Sequence, residues 1–181
     1  MEQSIRLGRF KGIPIGLHYT WLIAFGLITV SLISSYSQRY PDWSSETKLV
    51  IGLVTSLLFF LSVIGHELAH SLVALAKGIP VKSITLFVFG GVSQIAREAA
   101  TAAAEFQIAI VGPVSSFLIG GVFTLLAPLT EAMSWPLAES FRWLGTINFM
   151  LAIFNLIPGF PLDGGRVLRS LIWWVKGDFE A

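Results

Sequence analysis

His66-Glu67-Leu68-Ala69-His70 sets two imidazoles and a carboxylate within five residues. On an α-helix, residues four apart share a face. His66 and His70 can therefore offer two nitrogens to one metal ion, while Glu67 projects beside it towards a metal-bound water. The pattern alone is loose and arises by chance in long soluble chains. Its setting is more informative, because it lies inside Leu57–Ala76, an otherwise apolar run long enough to cross a bilayer. An ionisable group at membrane depth is costly and marks function by default. A polar cluster satisfied by neighbouring helices, or a proton relay, is the competing reading. A metal compensates all three groups at once, and it requires a further ligand elsewhere.

The chain has no cysteine, so disulfides and thiolate metal sites are excluded and the ligands must be His or carboxylate. A catalytic zinc site usually has three protein ligands and one open position. The third ligand is then His18, the remaining histidine, or a carboxylate. His18 sits at the edge of an apolar span and reads better as an interfacial or helix-contacting residue. Glu98 and Glu105 stand at the start of a later span. Asp163 is better placed, in Phe154-Asn155-Leu156-Ile157-Pro158-Gly159-Phe160-Pro161-Leu162-Asp163-Gly164-Gly165-Arg166, directly after a span and stiffened by two prolines. A salt bridge to Arg166 or a turn carboxylate is its alternative role. Asn155 can donate a hydrogen bond to a polarised carbonyl oxygen, or else link two helices. The chemistry of such a set is hydrolysis. The cation brings the pKa of water from 15.7 towards about 7, and Glu67 takes the proton as general base and returns it to the departing amine.

The elements that must position these groups belong to a membrane protein. Of 181 residues, 54% are hydrophobic and only 13% charged, with a mean hydropathy of +0.75. A globular domain carries about 25% charged residues. The net charge of +1 gives no sign of a nucleic-acid partner. Residues 1–16 read as a solvated juxtamembrane segment. Residues 17–35 are a first span, too long for a signal-peptide core of about 7–15 residues. A polar loop follows at 36–47, where Ser44 or Ser45 can cap the next helix. The second span, about 48–77, carries the His-Glu motif and ends at Gly78-Ile79-Pro80. Residues 81–95, rich in β-branched and aromatic side chains and broken by Gly90-Gly91, predict a strand or hairpin. Backbone of that kind near a membrane must be shielded or line a wet cavity. Its edge can accept an extended peptide; a structural lid is the alternative.

Residues 96–104 start a helix, and 105–127 are a third span, with Pro113 expected to kink it and small residues to allow close helix approach. A loop or interfacial segment is expected at 128–142 and a fourth span at 143–157. A C-terminal helix from Arg166 to Lys176 ends in an interfacial Trp173-Trp174 anchor. The fold class is thus an α-helical polytopic membrane protein of about four transmembrane helices plus a C-terminal helix, with a small membrane-associated β-hairpin or sheet. In that arrangement nine Lys/Arg fall on one side and Arg39, Lys48 and Arg142 on the other. The bias places the N-terminus in the cytoplasm. The metal then lies ~10 Å inside the cytoplasmic end of the second helix, at 1.5 Å per residue.

These residues resemble the site-2 protease family of zinc intramembrane metalloproteases, in its prokaryotic branch. The resemblance rests on His66-Glu67-Leu68-Ala69-His70 in a membrane helix and on Asn155-x-x-Pro158-x-Phe160-Pro161-Leu162-Asp163-Gly164-Gly165. Gly90-Gly91, Gly112-Pro113 and Gly12-Ile13-Pro14-Ile15-x-x-His18 are similar to further elements of that branch. It implies zinc held by His66, His70 and Asp163, Glu67 as catalytic base, and Asn155 assisting. It also implies regulated cleavage of transmembrane or membrane-associated proteins in the lipid bilayer of a cell (inner) membrane. A substrate could pair as a strand near 81–95. Residues 1–181 read as one metalloprotease core domain without the C-terminal CBS modules that often follow in this branch. A membrane zinc transporter or metal-binding protein, or an inactive scaffold, is the alternative. Transport needs ionisable groups along a through-path, whereas here they cluster at one depth.

Overall fold

The structure, a computed structural model, describes residues 4–88 and 90–177. The elements in order are β1 (Ser4–Phe10), β2 (Ile13–His18), α1 (Trp21–Arg39), α2 (Ser45–Ala76), β3 (Val81–Phe87), β4 (Gly90–Ile95), α3 (Ala102–Thr130), α4 (Trp135–Asn155) and α5 (Asp163–Lys176).

The second helix sets the scale. Its 32 residues give ~48 Å of helix at 1.5 Å per residue, more than the ~30 Å hydrocarbon core. Ser44 caps its start by accepting from the Thr47 N–H at 3.1 Å. Gly78, at φ +72°, ends it. There the Ile79 N–H reaches back to Ala74 O and the Gly78 N–H to Leu75 O, both at 2.9 Å. That pair of bonds satisfies carbonyls the helix leaves open, and it needs the left-handed residue that glycine supplies. Along with α1 and α3, α2 is long and apolar enough to cross a membrane. Leu22, Leu27, Val30, Leu118 and Leu125 stay exposed on these helices. The chain is an integral membrane protein whose outer surface suits lipid.

Lipid supplies little hydrophobic drive between helices, so small side chains and buried hydroxyls do that work. Thr29 Oγ1 donates to Ser56 Oγ at 2.9 Å between α1 and α2. Thr55 Oγ1 donates to Ser140 Oγ at 2.8 Å between α2 and α4. Where α3 crosses α4, a Cβ on Gly120 would stand 3.0 Å from Gly145 O, so the two backbones touch.

Several boundaries differ from those the sequence predicts: the first span, expected at 17–35, is α1 at Trp21–Arg39, and the helix start expected at 96–104 falls at Ala102. Residues 5–12 are exposed, in keeping with a solvated segment, but 4–18 are also ordered as a hairpin, which the sequence reading did not give them. Lys11 and Gly12 both take positive φ (46° and 84°), the geometry of a two-residue hairpin turn. The expected loop at 128–142 is largely helix, because α3 continues to Thr130 and α4 begins at Trp135. The charges there pair with one another: Arg142 binds Glu131 and, at 3.1 Å, Glu139, so they do not interrupt the helix. Finally, α5 starts at Asp163 rather than Arg166, which puts the carboxylate in a helical first turn.

The 81–95 segment is a hairpin, as expected, with Phe89 outside the described residues. It belongs to a larger sheet of order β1-β2-β3-β4. The outer pairs are antiparallel, and β2 runs parallel to β3 with Ile15 opposite Ile84 and Leu17 opposite Leu86. Ile13, Ile84 and Leu86 are buried on the face turned to the helices. Leu86 packs with Phe60 and Val63 of α2 and Ala24 of α1. This contact lays β4 alongside the His-Glu turn of α2.

Candidate metal centre

His66 and His70 occupy successive turns of α2 and are 4% exposed. Asp163 reaches them from the first turn of α5. His66 Nε2, His70 Nε2 and Asp163 Oδ2 lie 3.1 Å from one another in all three pairs. The side chains thus converge on one point from segments 93 residues apart.

The far ring nitrogens are also held. His66 Nδ1 lies 2.9 Å from Ser116 Oγ of α3. His70 Nδ1 donates to Ile108 O, also of α3, at 2.5 Å. That bond fixes the proton on Nδ1 and leaves the Nε2 lone pair facing Asp163. A lone pair 3.1 Å from a carboxylate oxygen calls for positive charge between them. A set of two neutral imidazole nitrogens and one carboxylate fits zinc, with ordinary ligand types and an open side. The backbone leaves room for the ion as well: a Cβ on Gly112 of α3 would stand 2.7 Å from His66 Nε2 and 2.5 Å from His70 Cε1.

Asp163 is brought to this point by close backbone packing. A Cβ on Gly164 would overlap the carbonyls of Leu156 and Ile157. One on Gly165 would stand 2.7 Å from Gly159 O. The glycine pair lets the start of α5 lie directly on the 156–160 turn, which carries a cis Phe160-Pro161 bond. Arg166, expected as a possible partner of Asp163, turns instead to Glu105. Its Nε donates to Glu105 Oε1 at 3.0 Å, and Arg169 Nη2 donates to the same oxygen at 2.7 Å. Glu105 is 1% exposed and ties α3 to α5. Glu98 pairs with Arg169 at 3.4 Å. Neither glutamate enters the metal cluster.

Glu67 projects to the side of the cluster, against β4. Its Oε2 accepts from Ser93 Oγ at 2.7 Å. Asn155, at the end of α4, donates from Nδ2 to Leu151 O of its own helix at 2.9 Å. Asn155 nevertheless lines, with His66 and Glu67, the cavity of about 200 Å³ that holds Asp163. A neighbouring apolar cavity of about 300 Å³, walled by Phe59, Phe60, Val63 and Leu151, also opens on Glu67 and Asn155. His18 lies apart, at the end of β2, with Nδ1 2.8 Å from Thr20 Oγ1.

Sequence reasoning missed Ser93, Ser116 and the Glu105 clamp, and it named Gly112 only within a similar motif, without its place beside the imidazoles. A lone serine, or a glycine in an apolar helix, carries no chemical signal until its neighbours across the fold are known.

The profile of peptidase family M50 matches residues 54–131 and 119–181. A Synechocystis protein named provisionally as a zinc metalloprotease is 44% identical over 178 residues, covering 98% of this chain and 46% of that protein. A Methanocaldococcus jannaschii zinc metalloprotease is 36% identical over 177 residues, covering 95% and 46%. The chain spans about half the length of these relatives. The solved structure of the site-2 protease from Methanocaldococcus jannaschii superposes with a TM-score of 0.65 at 36% identity, covering 94% of this chain and 72% of that one.

Proposed function

This chain belongs to peptidase family M50, and from that premise we propose that it is the core domain of a zinc endopeptidase that cuts proteins inside the membrane. One observation carries the proposal: the convergence of His66, His70 and Asp163 within 4.8 Å, on an apolar helix long enough to cross a membrane. Those three residues would hold the metal. When bound, zinc polarises the scissile carbonyl and makes water nucleophilic near neutral pH.

The remaining steps belong to the chain's own side chains. Glu67 takes the proton of the attacking water on its carboxylate and passes it to the departing amide nitrogen. Asn155, on the wall of the same cavity, donates from Nδ2 to the carbonyl oxygen as charge develops there. To do so it exchanges its bond to Leu151 O for one to the substrate. The substrate class is a transmembrane or membrane-associated protein. A helix must be unwound before a peptide bond can reach the site. β4 supports a way to hold it, since β4 pairs on one side with β3 and ends the sheet. An extended segment can add there and present its backbone beside Glu67.

α4 supplies the fourth crossing, and the charge bias puts the N-terminus and the metal on the cytoplasmic side of a cell membrane. A membrane metal-binding protein without peptidase activity is the second reading, favoured only by the completeness of the ligand set.

The test is co-expression of the chain, wild type or Glu67→Gln, with a panel of tagged single-span membrane proteins, combined with zinc quantification of the purified chain. Wild type should cut a member of the panel, and Glu67→Gln should retain zinc and cut none. Equal cleavage by the two would remove Glu67 as base. Bound zinc with no cleavage by either would favour the second reading.

A further inference from the structure

The pressing of β4 against the His-Glu turn has a specific consequence. Residues two apart on a strand share a face, and Gly91 and Ser93 both turn to Glu67. At Gly91 the strand makes room, since a Cβ there would stand 2.5 Å from Glu67 Cγ and 3.2 Å from its Oε1. At Ser93 it makes contact. The Ser93 hydroxyl lies 2.7 Å from Glu67 Oε2 and 3.1 Å from Glu67 O, and it accepts from Ser71 Oγ at 3.2 Å. Ser71 stands one turn beyond Glu67 on α2. The three groups form a short relay, Ser71 to Ser93 to the Glu67 carboxylate, with its last bond charge-assisted and short.

The geometry points to Ser93 as the positioning residue of the general base, holding the Glu67 carboxylate in one orientation beside the metal ligands. This rests on the reading of Glu67 as base. A flexible glutamate has several rotamers, and only a narrow range of them reaches the attacking water. Gly91 bounds the side chain on one side and Ser93 ties its outer oxygen. The strand that would receive substrate is thereby the one that aims the base. Ser93 touches neither substrate nor metal in this role, so its effect passes wholly through Glu67.

The test uses the full chain, reconstituted in vesicles, as Ser93→Ala, Ser93→Thr and Gly91→Ala. On a membrane protein that wild type cuts, Ser93→Ala should lower kcat about ten- to a hundredfold, the scale of a small misplacement of a reacting group. KM and zinc content should be unchanged. Ser93→Thr, which keeps the hydroxyl, should recover most of the rate. Gly91→Ala, whose methyl would push Glu67 out of place from the same strand face, should lower kcat in the same way, and it decides the matter if Ser93→Ala does not fold. A rise in KM alone, loss of zinc, or a Thr variant as slow as Ala would overturn the proposal. The infrared carboxylate band assigned to Glu67 by difference with Glu67→Gln gives a readout that needs no substrate. That band should shift in Ser93→Ala. An unshifted band overturns the role of Ser93 even if no substrate is cut, while a shifted band with no cleavage by wild type overturns only the peptidase reading.

Discussion

Gly112 of α3 and His66 of α2 are packed so closely that a methyl on Gly112 would lie 2.7 Å from the metal-facing Nε2 of His66. The floor of the proposed metal site is therefore bare backbone. Gly112→Ala should strengthen the isolated helix by about 1 kcal/mol, since alanine is the better helix former. It should nonetheless empty the site, because the new methyl occupies space beside both imidazoles. The expected outcome is a folded, helical chain with less than a tenth of the wild-type zinc by elemental analysis. Full zinc occupancy in Gly112→Ala would show that the ion sits elsewhere.

Asp163 differs from the histidines in bringing the only formal negative charge to the cluster. Asp163→Asn keeps the shape and the packing of Gly164 and Gly165 but removes that charge. Zinc affinity should fall by more than the 10–100-fold typical of losing an outer hydrogen-bond partner. Asp163→Ala should fall at least as far. Competition with a metal-responsive dye measures both. If the two variants bound zinc as wild type does, the third ligand would have to be another residue; His18, whose Nδ1 lies 2.8 Å from Thr20 Oγ1, is not part of the cluster and would have to rearrange to serve.

How much of this was readable beforehand follows from where the information lies. The His-Glu motif and the Pro/Gly-rich turn announce themselves because ionisable groups and irregular backbone are expensive in lipid. The hairpin at 81–95 was visible from its β-branched composition. The first hairpin was not, since Arg6, Arg9 and Lys11 mask the alternation of Ile13, Ile15 and Leu17. Its pairing with β3 is also long-range, Ile15 with Ile84. Glu105 stood, behind Asp163, among the carboxylates open as a third ligand, because a sequence shows a carboxylate but not its partners. The two arginines that claim it come from a helix some sixty positions later.

That pairing gives a third prediction. Glu105 is 1% exposed and meets Arg166 and Arg169, whose side chains are 27% and 32% exposed. Breaking a buried pair costs about 3–5 kcal/mol, and partial exposure of the arginines brings the expectation down to about 1–3. Glu105→Gln should lower thermal stability accordingly. Because Arg166 lies three residues after Asp163, the same change should loosen the first turn of α5 and weaken zinc binding about tenfold. Wild-type zinc affinity in a destabilised Glu105→Gln would confine the clamp to folding.

The last prediction concerns Ser116, which is fully buried on α3 with its hydroxyl 2.9 Å from His66 Nδ1. A ligating histidine is oriented through its other ring nitrogen, and removal of that partner typically costs 10–100-fold in metal affinity. His70 has a backbone carbonyl in this place, which no substitution removes, so Ser116 is the adjustable half of the pair. Ser116→Ala deletes one oxygen from a well-packed position and leaves the apolar packing of α3 intact. Zinc should then dissociate faster under chelator challenge, by about tenfold or more, with the melting profile of the zinc-free chain unchanged. Adding excess zinc should recover cleavage in Ser116→Ala, since the ligands themselves are all present. It should not recover cleavage in Glu67→Gln, where the group removed is the proposed base. A Ser116→Ala chain that held zinc as firmly as wild type would mean that the imidazole of His66 is oriented by helix packing alone.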